Sequence, residues 1–440
     1  MSEEIDGRGW PLLDWAPAPA PEVVARGIRS AGGRVTFACF MEMALTHPAV
    51  GYYTQARSPL GAAGDFITVP QRVPFFNRVL GRLLAELLGG AAALPTAGGE
   101  ARLVEVGAGE GHMAAGLLDF FEDEAPALKE ILRCQLVEPG SYLREAQRAR
   151  LAQAQSRSWR VEWPQVGQSP ASGHDARAEL LPPGGPGVVV TNELLDALPV
   201  HLLHVGDEVP LEAWVQLQEG ESGPEVAVVW REPCAAASAE LQAVLEQTGR
   251  PDPRSLSRDG FIELRPAVGD FLEGAARRLG AGFVVTIDYG AWRGHPYSAA
   301  STEARPADAW TDGREPADTQ AGTCRPQLHE LTLRGYFRHE RRFDPLSHAG
   351  RQDLTADVDF AALDFHGRRL GFQTLLFLDL ASFLAAGGAA TEADRLRSLV
   401  GGEDALEVDA SASLLEALLD PADVGGLFKV MVQVREEADL

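Results

Sequence analysis

From Leu103 to Leu118 the chain reads Leu-Val-Glu-Val-Gly-Ala-Gly-Glu-Gly-His-Met-Ala-Ala-Gly-Leu-Leu. Gly107, Gly109 and Gly111 alternate with other residues. With no Cβ at these positions the backbone can bend sharply and approach a ligand closely. A helix outlined by Met113, Leu117 and Leu118 opens directly afterwards, and its free N–H groups point toward the same place. Glu105 stands where the end of an apolar strand can aim a carboxylate into that crevice. Two phosphate cradles are excluded. The dinucleotide pattern G-x-G-x-x-G fails at His112, and the P-loop pattern lacks its Gly-Lys-Ser/Thr. A plain glycine-rich strand–helix turn is the alternative to a ligand loop.

Further acidic and amide groups occupy strand ends. Leu132-Arg-Cys-Gln-Leu-Val-Glu138 reads as a second parallel strand ending in Glu138, one βαβ unit beyond the glycine loop. A carboxylate there can accept both hydroxyls of a ribose. Val188-Val-Val-Thr-Asn-Glu-Leu-Leu-Asp196 reads as a β-branched buried strand with Asn192 and Glu193 at its C-terminal end. Ligands of open parallel sheets bind outside such ends. Glu193 and Asp196 are expected to start a helical turn, where acidic side chains also complement the helix dipole. Gly64-Asp65-Phe66 lies in a glycine-rich loop ahead of an apolar helix over 74–88, and an Asp in such a loop is ordinarily turn chemistry.

These groups need a sheet to hold them. Residues 1–90 are expected to form a helical lobe, in which Thr36 caps a helix carrying Phe37, Phe40, Met41, Ala44 and Leu45 on its apolar face. A small-residue linker then leads into an α/β core over 101–201 and 265–440. Residues 202–264 alternate as antiparallel strands do and form an inserted, substrate-side subdomain. Buried strands are expected again at 282–290 and over 427–434, the latter as a closing edge, with helix over 370–386.

Of 440 residues 45% are hydrophobic, as in a soluble globular protein. The net charge of −24 argues against a nucleic-acid binder, which presents a basic face. The four cysteines form no C-x-x-C, which fits a reducing compartment and no zinc site. His329-Glu330 lacks the second His of a zinc helix, and Asp353, Asp357 and Asp359 are unevenly placed for a calcium loop. No apolar stretch is long enough to span a membrane. The acidic N-terminus is unlike a targeting peptide, so a cytoplasmic protein is expected.

The pattern Glu105-x-Gly-x-Gly-x-Gly111 is the loop of S-adenosylmethionine-dependent methyltransferases. Around it the chain resembles the MidA-like methyltransferase family, which includes a mitochondrial complex I assembly factor that methylates a protein arginine. The resemblance rests on Phe40-Met-Glu42, Gly51-Tyr-Tyr53, Gly64-Asp-Phe-Ile-Thr68, the glycine loop, Val137-Glu138, Asn192-Glu-Leu-Leu-Asp-Ala-Leu-Pro199, Ile287-Asp-Tyr-Gly290 and Asp353-Leu-Thr-Ala-Asp-Val-Asp-Phe360. It implies a Rossmann-like, seven-stranded class I methyltransferase sheet that binds S-adenosylmethionine. Carried over, cofactor contacts fall on Gly64, Asp65, Thr68, Glu105, Gly107, Ala108, Gly109, Gly111, Glu138 and Asn192, and the catalytic roles on Glu193, Asp65 and Asp196, with no metal. The chain departs from the family at Val69 and Gln71, where a hydroxyl and a carboxylate are usual. It departs also at Ala108 for a proline, Glu110 for a basic residue and Asp357 for a frequent histidine. The resemblance implies a protein substrate with a basic acceptor, arginine first. The alternatives are a small-molecule methyltransferase or a non-catalytic binding protein on the same fold.

Overall fold

The computed structural model describes residues 15, 17–56, 68–93, 99–164, 181, 184–206, 209–257, 260–292, 331–338, 340–342, 344–399 and 414–436. The chain divides into two compact units. One comprises residues 53–196, 267–291 and 358–440, and the other residues 1–52, 197–266 and 292–357.

The first unit is built on a seven-stranded sheet. Its strands are β1 (Ala101–Val106), β2 (Leu132–Val137), β3 (Arg160–Glu162), β4 (Gly187–Asn192), β5 (Gly282–Ala291), β6 (Phe372–Asp379) and β7 (Phe428–Arg435). Their spatial order is β6-β7-β5-β4-β1-β2-β3. β1 to β5 run parallel, and β7 pairs antiparallel with both β5 and β6. The short strand Val358–Asp359 pairs with the tip of β5. β1 is buried along its whole length and β4 up to Thr191, as strands covered on both faces must be. The helix Pro74–Ala92 buries Phe76, Leu80, Leu84 and Leu88 in the same core as the strands.

Two elements differ from the sequence reading. Residues 372–379 form an edge strand and helix begins only at Leu380, so β7 lies inside the sheet rather than closing it. A short apolar run such as Leu375–Leu378 fits either state, and pairing with β7 decides it. After β4, residues 193–200 are bends and turns, not a helix.

The second unit holds a six-stranded antiparallel sheet. Its central hairpin, Leu211–Gly220 with Gly223–Arg231, is flanked by Ala18–Pro19, Arg34–Thr36, His201–His204 and Phe261–Leu264. The helix Ala235–Thr248 contributes Ala237, Leu241 and Val244 to its core. Thr36 caps the helix Phe37–Thr46 by accepting a bond from the Cys39 N–H at 3.2 Å. A separate three-stranded sheet joins Arg334–Phe337 to Glu340–Arg342 and Asp353–Thr355. The expected lobe over 1–90 is therefore divided near Tyr52. The helices before this point pack on the antiparallel sheet, whereas Pro74–Ala92 packs on the parallel one.

Candidate active site

β1 delivers the chain into the glycine loop. Gly107, Gly109 and Gly111 have φ of 73°, 53° and 78°. All three lie in the left-handed region that glycine alone enters readily. Space is restricted as well. A Cβ on Gly107 would stand 2.8 Å from Leu194 Cδ1, and one on Gly111 would stand 3.1 Å from Gln147 Cγ. The loop is tied to β2, because the Gly107 N–H donates to the Val137 carbonyl at 2.9 Å. Gly111 then caps the helix His112–Glu124.

Glu138 follows β2 and grips the loop from beside it. Its Oε2 accepts the Gly109 N–H at 3.0 Å and its Oε1 the Gly140 N–H at 2.9 Å. Burial pushes its carboxyl up to about 7, against the opposing effect of these two bonds and of Arg144. Glu105 is buried on β1, and its Oε2 has no hydrogen-bond partner. Burial raises it to about 8, with the Ala114 N–H opposing and the Glu138 charge adding. A carboxyl held above its ordinary 4.5 binds its proton more tightly folded than unfolded. Stability of the ligand-free protein should therefore fall as pH rises from about 4.5 to about 8 and level off beyond. Thermal melts across this range check it. Glu105→Gln, which removes the titration, should flatten the slope and raise the melting temperature at about pH 8.

Gln147 is a site residue that the sequence reading missed. It is fully buried, donates to the Gly109 carbonyl at 2.7 Å and accepts the Trp163 indole N–H at 2.8 Å. By its sequence, the segment Tyr142 to Ala152 reads as an Arg-rich amphipathic helix and a solvated face. Yet Leu143, Gln147 and Leu151 share one stripe of the helix Ser141–Ser156 and are all buried. An amide in the middle of an apolar stripe was the available signal.

β4 lies beside β1, in register Val106 with Thr191, so its end opens next to the glycine loop. Asn192 donates through Nδ2 to Glu193 Oε1 at 3.0 Å, while its Oδ1 is buried without a hydrogen-bond partner. Glu193 has φ of 52°, a strained value for a residue with a side chain, and its N–H donates to the Ile287 carbonyl at 2.9 Å. The turn that follows is organised by Asp288 on β5. Asp288 Oδ2 accepts the N–H groups of Leu194, Leu195 and Asp196 at 3.2, 2.8 and 3.3 Å, and Oδ1 accepts that of Tyr289 at 2.9 Å. Burial, then the charges of Asp196 and Glu193, holds its carboxyl well above the usual carboxylate range. This side-chain acceptor takes over the N–H groups that the expected helix would have presented. It places Glu193 and Asp196 on a turn.

Glu105, Gly107, Ala108, Gly109 and Gly111 thus lie at the end of β1, Glu138 at the end of β2, and Asn192, Glu193 and Asp196 at the end of β4. Thr68 precedes the short helix Val69–Arg72 and makes no side-chain capping bond to it. Gly64 and Asp65 lie outside the described residues. Among the described residues no helix is long and apolar enough to cross a membrane.

The family model described as "Putative S-adenosyl-L-methionine-dependent methyltransferase" matches residues 80–306 and 316–378. The chain belongs to this family. The strand order, with β7 antiparallel, is that of the class I methyltransferase fold. A Burkholderia thailandensis protein crystallised with S-adenosyl-homocysteine is 26% identical and superposes with a TM-score of 0.68 over 95% of both chains. A native COG1565-superfamily structure from the same organism is 27% identical, with a TM-score of 0.67 over 96% of both chains. The protein arginine methyltransferase NDUFAF7 of Mus musculus is 27% identical over 75% of this chain. Its Homo sapiens counterpart is likewise 27% identical over 75%. The chain spans just under two thirds of the length of these relatives, 66% and 65%. They are named as mitochondrial proteins, as is the Drosophila melanogaster homologue, and this overturns the expectation of a cytoplasmic location.

The residues present fit the cofactor. Three left-handed glycines leave the loop without side chains where a ligand would lie, and two buried polar atoms beside it, Glu105 Oε2 and Asn192 Oδ1, lack hydrogen-bond partners. Buried polar groups are ordinarily paired, and a polar ligand in this place would give both atoms a partner.

Proposed function

We propose that this chain is an S-adenosylmethionine-dependent methyltransferase that modifies an arginine side chain of a protein. The observation that carries the reading is the carboxylate group at the end of β4: Glu193, steadied by Asn192, with Asp196 on the turn pinned by Asp288. The name of the relatives, protein arginine methyltransferase, supports the same acceptor at 27% identity.

In this reading the glycine loop and Glu138 hold the adenosine, Glu138 by accepting ribose hydroxyls. Asn192 and Glu105 meet the polar remainder of the cofactor. Bound S-adenosylmethionine supplies an electrophilic methyl group on a sulfonium. The chain's own residues must then orient a poor nucleophile, because a guanidinium stays protonated with a pKa of roughly 12.5–13.8. A carboxylate can grip it through two parallel N–H···O bonds and fix one nitrogen on the line of attack. Most of the rate should come from this positioning. The family resemblance assigns Asp65, which lies outside the described residues, a part in the active site. Asp65→Ala is then expected to lower turnover or cofactor affinity with little change in melting temperature. Full activity in that variant counts against a role for Asp65.

Glu193→Gln tests the acceptor. The variant is nearly isosteric and uncharged. Cofactor affinity should survive while methylation of the native target falls roughly tenfold or more, equivalent to about 1.4 kcal/mol of transition-state stabilisation. The target itself is found by comparing methylarginine-containing peptides from cells with and without the gene. Unchanged methylation by Glu193→Gln would remove the carboxylate grip, and absence of any methylarginine difference would remove arginine as the acceptor.

A further inference from the structure

A second cluster of chemically capable side chains lies in the antiparallel unit. His201 begins the strand His201–His204, Glu212 lies on Leu211–Gly220, and Cys234 is the residue before the helix Ala235–Thr248. His201 Nδ1 is 2.6 Å from Glu212 Oε1 and 3.8 Å from Cys234 Sγ. The other carboxylate oxygen of Glu212 accepts the Cys234 N–H at 2.6 Å, and Cys234 Sγ accepts the Ala237 N–H at 3.5 Å. One ligand atom from each residue lies within 4.8 Å of the other two. Glu212 and His201 are buried, and Cys234 is partly exposed.

We propose that His201, Glu212 and Cys234 bind a zinc ion. Imidazole nitrogen, carboxylate oxygen and thiolate sulfur are the donors that Zn²⁺ takes, at about 2.0–2.3 Å each. Tetrahedral bonds of that length put neighbouring ligand atoms about 3.3–3.8 Å apart. The sulfur and nitrogen already stand at that spacing, and the carboxylate oxygen needs to withdraw by less than about 1 Å. The metal replaces the proton shared by imidazole and carboxylate, and the thiol gives up its own. Three protein ligands leave a fourth position, which water can fill from the open side at Cys234. The expectation of no zinc site rested on sequence spacing alone. Here the ligands come from three elements that only the antiparallel sheet brings together. Bound metal would staple two strands to the start of a helix.

The test uses the untagged 440-residue chain, stripped with a chelator and then exposed to zinc or cobalt. The wild type should retain one zinc per chain through gel filtration. With cobalt it should show a thiolate-to-metal charge-transfer band and the intense visible bands of a tetrahedral ion. Zinc should also raise its melting temperature. Cys234→Ser keeps an oxygen at the helix cap, and Glu212→Gln keeps the volume. Each should weaken binding roughly tenfold or more, and Cys234→Ser should lose the charge-transfer band. A wild type that retains no zinc overturns the proposal, as does a cobalt spectrum unchanged in Cys234→Ser. In either case the cluster is only a buried ion pair.

Discussion

Asp288→Ala is expected to destabilise the parallel-sheet unit by about 2–4 kcal/mol and to lower methyl transfer at least as far as Glu193→Gln. The Asp288 carboxyl accepts four backbone N–H groups, three of them from the turn that carries Glu193 and Asp196. Leaving a buried donor without an acceptor costs about 1–3 kcal/mol. Water entering the space left by the side chain offsets part of that loss. Glu193 depends on this support because its backbone sits at φ of 52°, a conformation that persists only where the surroundings impose it. Asp288→Asn separates support from charge. Burial, then the charges of Asp196 and Glu193, raises the Asp288 carboxyl, so loss of its charge in Asn costs less here than at an exposed site. The amide oxygen of Asn can still accept from the turn. Only the bond from Tyr289 is exposed to loss, at about 1 kcal/mol. Chemical denaturation of both variants, with cofactor titration of the folded Asn form, checks this. Equal stability of Asp288→Ala and wild type would show that the turn is held by other contacts.

The contrast between Glu138 and Asp288 shows where a sequence is readable. Glu138 follows an apolar strand one βαβ unit after the glycine loop, so its place at a sheet end follows from local pattern and the rule for parallel sheets. Asp288 is also at a strand end, but its partners lie 94 residues earlier. Its role depends on β5 pairing with β4, in register Thr286 with Thr191, and no local periodicity carries that information. The helix expected after β4 failed for the same reason. Glu193 and Asp196 have the composition of a first helical turn, and a distant carboxylate takes the N–H groups instead. β6 failed differently, because four consecutive apolar residues do not distinguish a helix from a strand. Gln147 was legible in principle, as the one amide between Leu143 and Leu151 on a buried stripe. The division near Tyr52 was not, since two successive helical segments look alike until each finds its sheet.

Gly109→Val should abolish measurable cofactor binding, with a loss of roughly hundredfold or more, about 2.7 kcal/mol. Gly109 sits at φ of 53°, where an ordinary side chain costs about 1–2 kcal/mol and a β-branched one more. Its N–H is held by Glu138 and its carbonyl by Gln147, so the peptide cannot rotate away without breaking both bonds. The branched side chain must also occupy space at the mouth of the loop, where close approach of backbone to ligand is required. Glu138→Ala attacks the same site from the other side. It removes the acceptor from Gly109 and Gly140 and the carboxylate proposed for the ribose, and charged hydrogen bonds of this kind contribute about 1.5–3 kcal/mol. Titration adds a signature that a general loss of fold would not produce. Glu138 is held up to about 7 by burial, so the fraction ionised and ready to accept hydroxyls rises through neutral pH. Affinity for S-adenosylhomocysteine should therefore strengthen from about pH 6 to about pH 8 in the wild type, and this contribution should be lost in Glu138→Gln, which leaves only the titration of Glu105. Calorimetry on folded protein reads all of this directly. Unchanged affinity in both Gly109→Val and Glu138→Ala would move the cofactor away from this loop.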